Sequence, residues 1–260
     1  MVSSIDVRRQ DVSLPPPSCA DCSVKPLALC GVLTSDQPVT LQAVRRDCRK
    51  VTARRLVLHT GEAATEVYTV LSGWAFRFKL LRDGRRQILG YYLPGDMIAT
   101  EALLEPVVHF SVQAVTELSL CVFDSSDFKT SVDGCSTLRH QFHKLCFRKF
   151  DAMDGRLTCV GKGNADERLA HFIMSIYGKL IFRRLAEGNS FLLPLRHEHI
   201  ADTIGLTPVH VSRTFSELRK QGLIDVRDQQ ISILNQPKML MLAGLENDYL
   251  AKIMLERPAL

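Results

Sequence analysis

No stretch of this chain stays apolar for the ~20 residues that a membrane-crossing helix needs. The opening M-V-S-S-I-D-V-R-R-Q also lacks the apolar core of a secretory signal. A cytoplasmic protein without membrane association is the expectation. Strong charge of one sign is missing too, because 33 Lys and Arg face 28 Asp and Glu for a net charge of +5. That balance permits nucleic-acid binding without demanding it. There is no internal repeat and no low-complexity tract. G-K-G at 161–163 is too short for a phosphate loop. No nucleophile stands with a base and an orienting group, so an enzyme is not expected.

Cysteine is plentiful, with eight residues at 19, 22, 30, 48, 121, 135, 146 and 159. A reducing compartment disfavours structural disulfides, which leaves metal binding, catalysis or burial. Cys19, Cys22 and Cys30 cluster in S-C-A-D-C-S-V-K-P-L-A-L-C-G-V-L. A C-x-x-C pair lets two thiolates converge on one centre, and the third returns after a proline-bearing loop, as ligands to zinc or iron–sulfur centres do. A thiol–disulfide switch is compatible with the same spacing. A fourth ligand must come from elsewhere. Cys48, Cys135, Cys146 and Cys159 read as small apolar fillers on helices.

The pattern along the chain is α+β. Residues 1–48 form an arm carrying the cysteine motif, its first 18 residues kept out of regular structure by Pro15, Pro16 and Pro17. The basic run Arg45, Arg46, Arg49, Lys50, Arg54 and Arg55 reads as a solvated helix face. Residues 49–132 show short β-type runs punctuated by glycine, including a hairpin at Asp83-Gly84, and predict a β-roll or jelly-roll sandwich. In residues 133–163 the period changes. Cys146, Phe150, Met153, Leu157 and Val160 follow at spacings of 4, 3, 4 and 3, a coiled-coil seam that predicts a homodimer, with Gly155 weakening its middle and a hinge at 161–164. A further helix, 165–184, opens a domain over residues 164–235, and an apolar, helical tail spans 236–260, expected to pack on a partner domain or the other subunit.

Residues 196–223 carry a helix-turn-helix pattern. Ile200, Ala201 and Ile204 give the first helix its apolar face, and Gly205 supplies the turn. Thr207 caps the second helix, with Pro208 at its first position. Val211, Phe215 and Leu218 face inward, so Val209, His210, Ser212 and Arg213 turn toward a DNA groove. Arg213 offers the donor fork that suits guanine. His197 and His199 read as phosphate contacts or surface residues. The following G-L-I-D-V-R-D-Q-Q-I-S-I-L makes two strands around a turn, a wing that rests on phosphates.

Sandwich, seam helix and winged helix-turn-helix in this order resemble the cyclic-AMP receptor protein superfamily of bacterial regulators. The strings G-W-A-F-R-F-K-L-L-R-D-G-R-R-Q-I with L-P-G-D, N-A-D-E-R-L-A-H-F-I and G-L-T-P-V-H-V-S-R carry the likeness. The front cysteines look like the FNR branch, the fumarate and nitrate reduction regulators. That resemblance implies that Cys121, in E-L-S-L-C-V-F, is the fourth ligand of an oxygen-labile [4Fe-4S] cluster. It further implies a homodimer on a palindromic double-stranded DNA operator, RNA polymerase as a partner, and control of genes for low-oxygen metabolism. A zinc or thiol–disulfide centre, or a regulator of this type sensing another small ligand, are the alternatives. A cyclic nucleotide is not expected, because no glycine precedes Glu101 and Phe110 stands where an arginine should precede Ser111. Val209 departs from the glutamate usual at its position, which implies a shifted operator half-site.

Overall fold

The computed structural model describes residues 12–14, 18–19, 21–33 and 41–257; the proline run 15–17 lies outside them. The chain divides near Leu145 into two compact units. Among the described residues no helix is long and apolar enough to cross a membrane.

The first unit is a sandwich of two antiparallel sheets. Its strands are β1 (Val12–Leu14), β2 (Arg45–Val51), β3 (Leu56–Leu58), β4 (Glu66–Ser72), β5 (Ala75–Leu80), β6 (Arg86–Tyr92), β7 (Met97–Ile98), β8 (Ser111–Ala114) and β9 (Leu118–Asp124). One sheet has the order β1-β2-β9-β4-β7 and the other β3-β8-β5-β6. Alternation along the strands sends Tyr68, Val70, Val112, Ala114, Leu118, Leu120 and Val122 into the shared core. The hairpin expected at Asp83-Gly84 joins β5 to β6.

Two sequence expectations change here. The basic run from Arg45 to Lys50 forms strand β2, not a helix face, and Arg46 and Arg49 are paired within the sheet. Arg49 Nη1 lies 2.9 Å from Glu66 Oε2, with Arg49 Nη2 3.0 Å from Oε1, and Arg46 Nη1 stands 3.8 Å from Asp124. Cys48 therefore sits on a strand rather than a helix. The arm also contributes regular structure, because Val12–Leu14 pairs with the edge of β2.

After β9, Asp124 caps α1 (Ser125–Gly134) by accepting from the amides of Ser126 and Asp127. Helix α2 (Ser136–Lys162) then runs unbroken through Gly155. On it Phe147, Phe150 and Leu157 are 69, 61 and 73% exposed, and Met153 is exposed as well, so the seam positions present apolar surface.

In the second unit α3 (Ala165–Phe182) begins with a capping box between Asn164 and Glu167. A four-stranded sheet, β10 (Ala186–Glu187), β11 (Ser190–Leu192), β12 (Ile224–Arg227) and β13 (Gln230–Ile233), has the order β10-β11-β13-β12. Helices α4 (His197–Ile204), α5 (Pro208–Lys220), α6 (Gln236–Leu242) and α7 (Tyr249–Leu255) all pack on α3. The tail was expected to cover another domain or subunit; its helices α6 and α7 instead bury Met239, Leu240 and Leu250 in their own unit.

Candidate cysteine centre and DNA-reading face

Because Leu118, Leu120 and Val122 of β9 point into the core, Cys121 and Phe123 lie on the opposite, outer face of the five-stranded sheet. The register sets Cys121 opposite Cys48 of β2 on one side and Thr69 of β4 on the other. Residues 21–33, which form two short 3-10 turns, and residues 41–45 cover this face, burying Val24, Ala28, Leu29 and Leu41. Two glycines permit the close approach. A side chain at Gly31 would stand 2.3 Å from the Lys25 carbonyl oxygen, and one at Gly95, where φ is +90°, would stand 2.6 Å from Leu27 Cβ.

Between cover and sheet lies a cavity of about 190 Å³ whose wall includes Cys19, Cys22, Cys30 and Cys121, with Lys25, Arg45, Thr69 and Phe123. The structure thus brings all four candidate ligands to one space. That space exceeds tenfold the ~10–15 Å³ that one water needs, so a group of several heavy atoms fits it. Among the described residues no three His, Cys, Asp or Glu side chains converge as a single metal ion would require. The sulfurs stand around a cavity rather than about a point. Four thiols in one cavity wall are the donor type that both zinc and iron–sulfur centres take.

Electrostatics follow from burial. Desolvation, then the neighbouring Cys22 and Cys19, pushes the Cys30 thiol up to about 11. Burial, then Cys48, raises Cys121 as well, and burial raises Cys48. Cys30 and Cys121 are thus held as thiols, so loading a metal on them must release protons. Two cations offset the resulting thiolate charge. Arg45 donates from Nη1 to Cys19 Sγ at 3.3 Å, and the Lys25 charge acts on Cys30. Arg45 and Lys25 were missed as part of this site in the sequence; R-R-D-C-R-K-V carries no alternation that could have placed Arg45, since its buried positions Cys48 and Val51 are three apart and a bulge follows Arg45.

Where the sandwich would meet a nucleotide, Phe110 is buried with the Arg77 guanidinium 5.7 Å from its ring centroid. Ser111 Oγ already accepts the Thr60 amide at 3.1 Å.

In the second unit α4 ends at Gly205, and Thr207 Oγ1 accepts the His210 amide at 3.2 Å to start α5, with Pro208 in its first turn. Val211, Thr214, Phe215 and Leu218 are buried, and His197 stacks on Phe215 at 5.5 Å. Val209, 61% exposed, shares the outer face of α5 with the exposed His210, Ser212 and Arg213. A shallow groove beside them is lined by Thr207, Val209, His210 and Arg213 together with Asp166 and Glu217, two carboxylates not picked out in the sequence. The β12–β13 turn passes through Asp228 and Gln229, both at positive φ, as a tight primed hairpin requires.

Among known proteins, the cyclic nucleotide-binding domain matches residues 48–133 and the Crp-like helix-turn-helix domain matches residues 167–242. The nitrogen fixation regulation protein FixK of Bradyrhizobium diazoefficiens is 29% identical over 226 residues, spanning 87% of this chain and 94% of that protein. The transcriptional activator protein FnrL of Cereibacter sphaeroides is 27% identical over 234 residues, 88% of this chain and 93% of FnrL. The solved structure of FixK2 from Bradyrhizobium japonicum superposes with a TM-score of 0.69 at 26% identity, covering 76% of this chain and 97% of that one.

Proposed function

Because the chain belongs to the Crp/Fnr family of DNA-binding transcription regulators, we propose that it is an oxygen-responsive regulator whose Cys19, Cys22, Cys30 and Cys121 hold a [4Fe-4S] cluster. The observation that carries this reading is the single cavity that all four thiols line. When bound, such a cluster supplies an oxygen-labile redox centre. The chain's own residues do the rest. Val24, Ala28 and Leu41 shield the cavity from water, while Arg45 and Lys25 compensate thiolate charge.

A path from the centre to the root of α2 also exists within the first unit. Phe123, two residues beyond Cys121 on the same face, lines the cavity and meets Phe128 of α1 edge-on at 5.3 Å. Helix α1 leads through Cys135 into α2. A shift of Cys121 is therefore felt at the root of the helix that presents Phe147, Phe150, Met153 and Leu157. These exposed apolar residues support a homodimer through α2, and a dimer presents two copies of α5 to a palindromic operator, working with RNA polymerase. Affinity for a palindrome depends on both half-sites engaging together, so a modest change in dimerisation is amplified on DNA. The filled space at Phe110 and the engaged Ser111 hydroxyl support a sensor that does without a cyclic nucleotide.

Iron and acid-labile sulfide analysis of anaerobically purified protein tests this reading. Near-stoichiometric four-iron content, lost in air together with the shift of a palindromic DNA probe, is expected. Colourless protein carrying zinc or no metal would overturn it.

A further inference from the structure

The proposed centre uses the four cysteines that line the cavity, yet the structure places a fifth, Cys48, directly opposite Cys121 on the neighbouring antiparallel strand. Directly opposed residues in an antiparallel pair have Cα atoms about 4.5 or 5.5 Å apart, depending on the hydrogen-bonding site. Both values fall inside the ~4.4–6.8 Å window for a disulfide. The two side chains share a face and both are buried. Cys48 is not in the cavity wall with the four candidate ligands.

We propose that Cys48 and Cys121 are a redox pair that closes a cross-strand disulfide once Cys121 is released from the metal centre, removing the fourth ligand until a thiol reductant restores it. The inference rests on the cluster reading for its consequence, though not for its chemistry. With a peroxide as oxidant, one sulfur attacks a peroxide oxygen, the O–O bond breaks, and a sulfenic acid and one water result. The second sulfur then attacks the first, the S–S bond forms, and the remaining oxygen leaves as a second water. Two thiols and one hydrogen peroxide thus yield one disulfide and two waters. Cys121 lines the cavity and is the sulfur that a small oxidant reaches first. Thiolate is the attacking form, so a buried pair reacts slowly. Slowness separates two events in time. Brief exposure empties the centre reversibly, and prolonged exposure latches it empty.

The latch also explains why a sheet position is the place for it. Cys19, Cys22 and Cys30 sit on a cover segment of short turns, whereas Cys48 and Cys121 are held in register by the ladder of β2 and β9. Their separation does not depend on whether the cover is in place.

Metal-free full-length protein, reduced and then exposed anaerobically to hydrogen peroxide, is digested and its disulfides mapped by mass spectrometry. A Cys48–Cys121 peptide as the main intramolecular linkage is expected, with loss of iron and sulfide uptake that dithiothreitol reverses. Under the same treatment Cys48→Ala should leave Cys121 as a sulfenic acid that dimedone labels, where the native chain gives the disulfide. The map on the native chain decides the matter even where that variant folds poorly. Cys48 recovered alkylated while Cys121 is linked to Cys19, Cys22 or Cys30 would overturn the proposal, as would equal dimedone labelling of Cys121 in the native chain and Cys48→Ala. Reduced, untreated protein that takes up no iron defeats the cluster reading instead, and the peptide map still judges the pair.

Discussion

The cysteine cavity and the DNA-reading face are built in opposite ways. Helices α4 and α5 come from one continuous stretch, each closed by its own cap, turn and apolar stripe, and they lean on α3 close by in the chain. The cavity needs a cover segment near the start of the chain to meet strand β9 at the end of the sandwich. Closing such a distance costs chain entropy that packing, or a bound metal, must offset. The reader is consequently ordered by local rules. The cover is held instead by long-range packing, with Val24, Ala28, Leu29 and Leu41 buried over the sheet.

The largest expected effects cross the two regions. Cys22→Ser should bring iron content to background and abolish anaerobic operator binding. Arg213→Ala should leave iron content unchanged and weaken operator binding by ~1–3 kcal/mol, roughly 5- to 150-fold. Iron assays and salt-controlled DNA titrations on both variants check the pair. If Arg213→Ala lost iron as well, or Cys22→Ser retained both properties, the separation of roles would collapse.

What could be read from the sequence follows the same divide. Val211, Phe215 and Leu218 announce α5 by their spacing, and Asp83-Gly84 announces its hairpin, because each signal lies within a few residues of its consequence. Strand β2 was hidden, since R-R-D-C-R-K carries the composition of a solvated face. Its charges are tolerated in a sheet only because Glu66 and Asp124, distant in sequence, answer them. Cys48 was misplaced with it, and the alternation of one strand could not say that Cys121 lay opposite. The tail helices were read correctly as helices but without their support, because an apolar stripe records that a face is covered and not by which element. Cys121 entered the site through family resemblance, a non-local kind of information; spacing among the front cysteines pointed to a metal centre and left zinc and a thiol–disulfide switch as alternatives.

A smaller effect probes how the cover is seated. The single tryptophan, Trp74, is buried in the sandwich, so its fluorescence reports unfolding of the first unit alone. Gly95→Ala sets a methyl 2.6 Å from Leu27 Cβ and strains a backbone at φ +90°. A cost of about 1–3 kcal/mol is expected, read as a lower urea midpoint by Trp74 fluorescence. Leu27→Ala in the same chain should recover part of it by relieving the collision, leaving the backbone strain. Full additivity of the two changes would mean that the L-P-G-D turn does not support the cover.

The smallest effect concerns the charges that made β2 hard to recognise. Burial alone would raise the Glu66 carboxyl, but hydrogen bonds from Arg49 and Tyr68 and the charges of Arg49 and Arg46 outweigh it and hold the pKa below the ordinary carboxylate range. A carboxylate whose folded pKa is depressed contributes stability that is complete above its unfolded value, ~4.3 for glutamate, and disappears as pH falls through the folded value. The Trp74 urea midpoint should therefore drop as the solution is acidified from about pH 5 through the unfolded carboxylate pKa and below it. Glu66→Gln should start from a lower midpoint at pH 7, because Arg49 loses its anionic partner, and should show a shallower acid slope. Equal slopes in the two proteins would mean that the Arg49–Glu66 pair does not stabilise β2. The sheet would then owe its hold on this charged strand to Val51, Cys48 and the ladder with β9, the same register that brings Cys48 and Cys121 face to face.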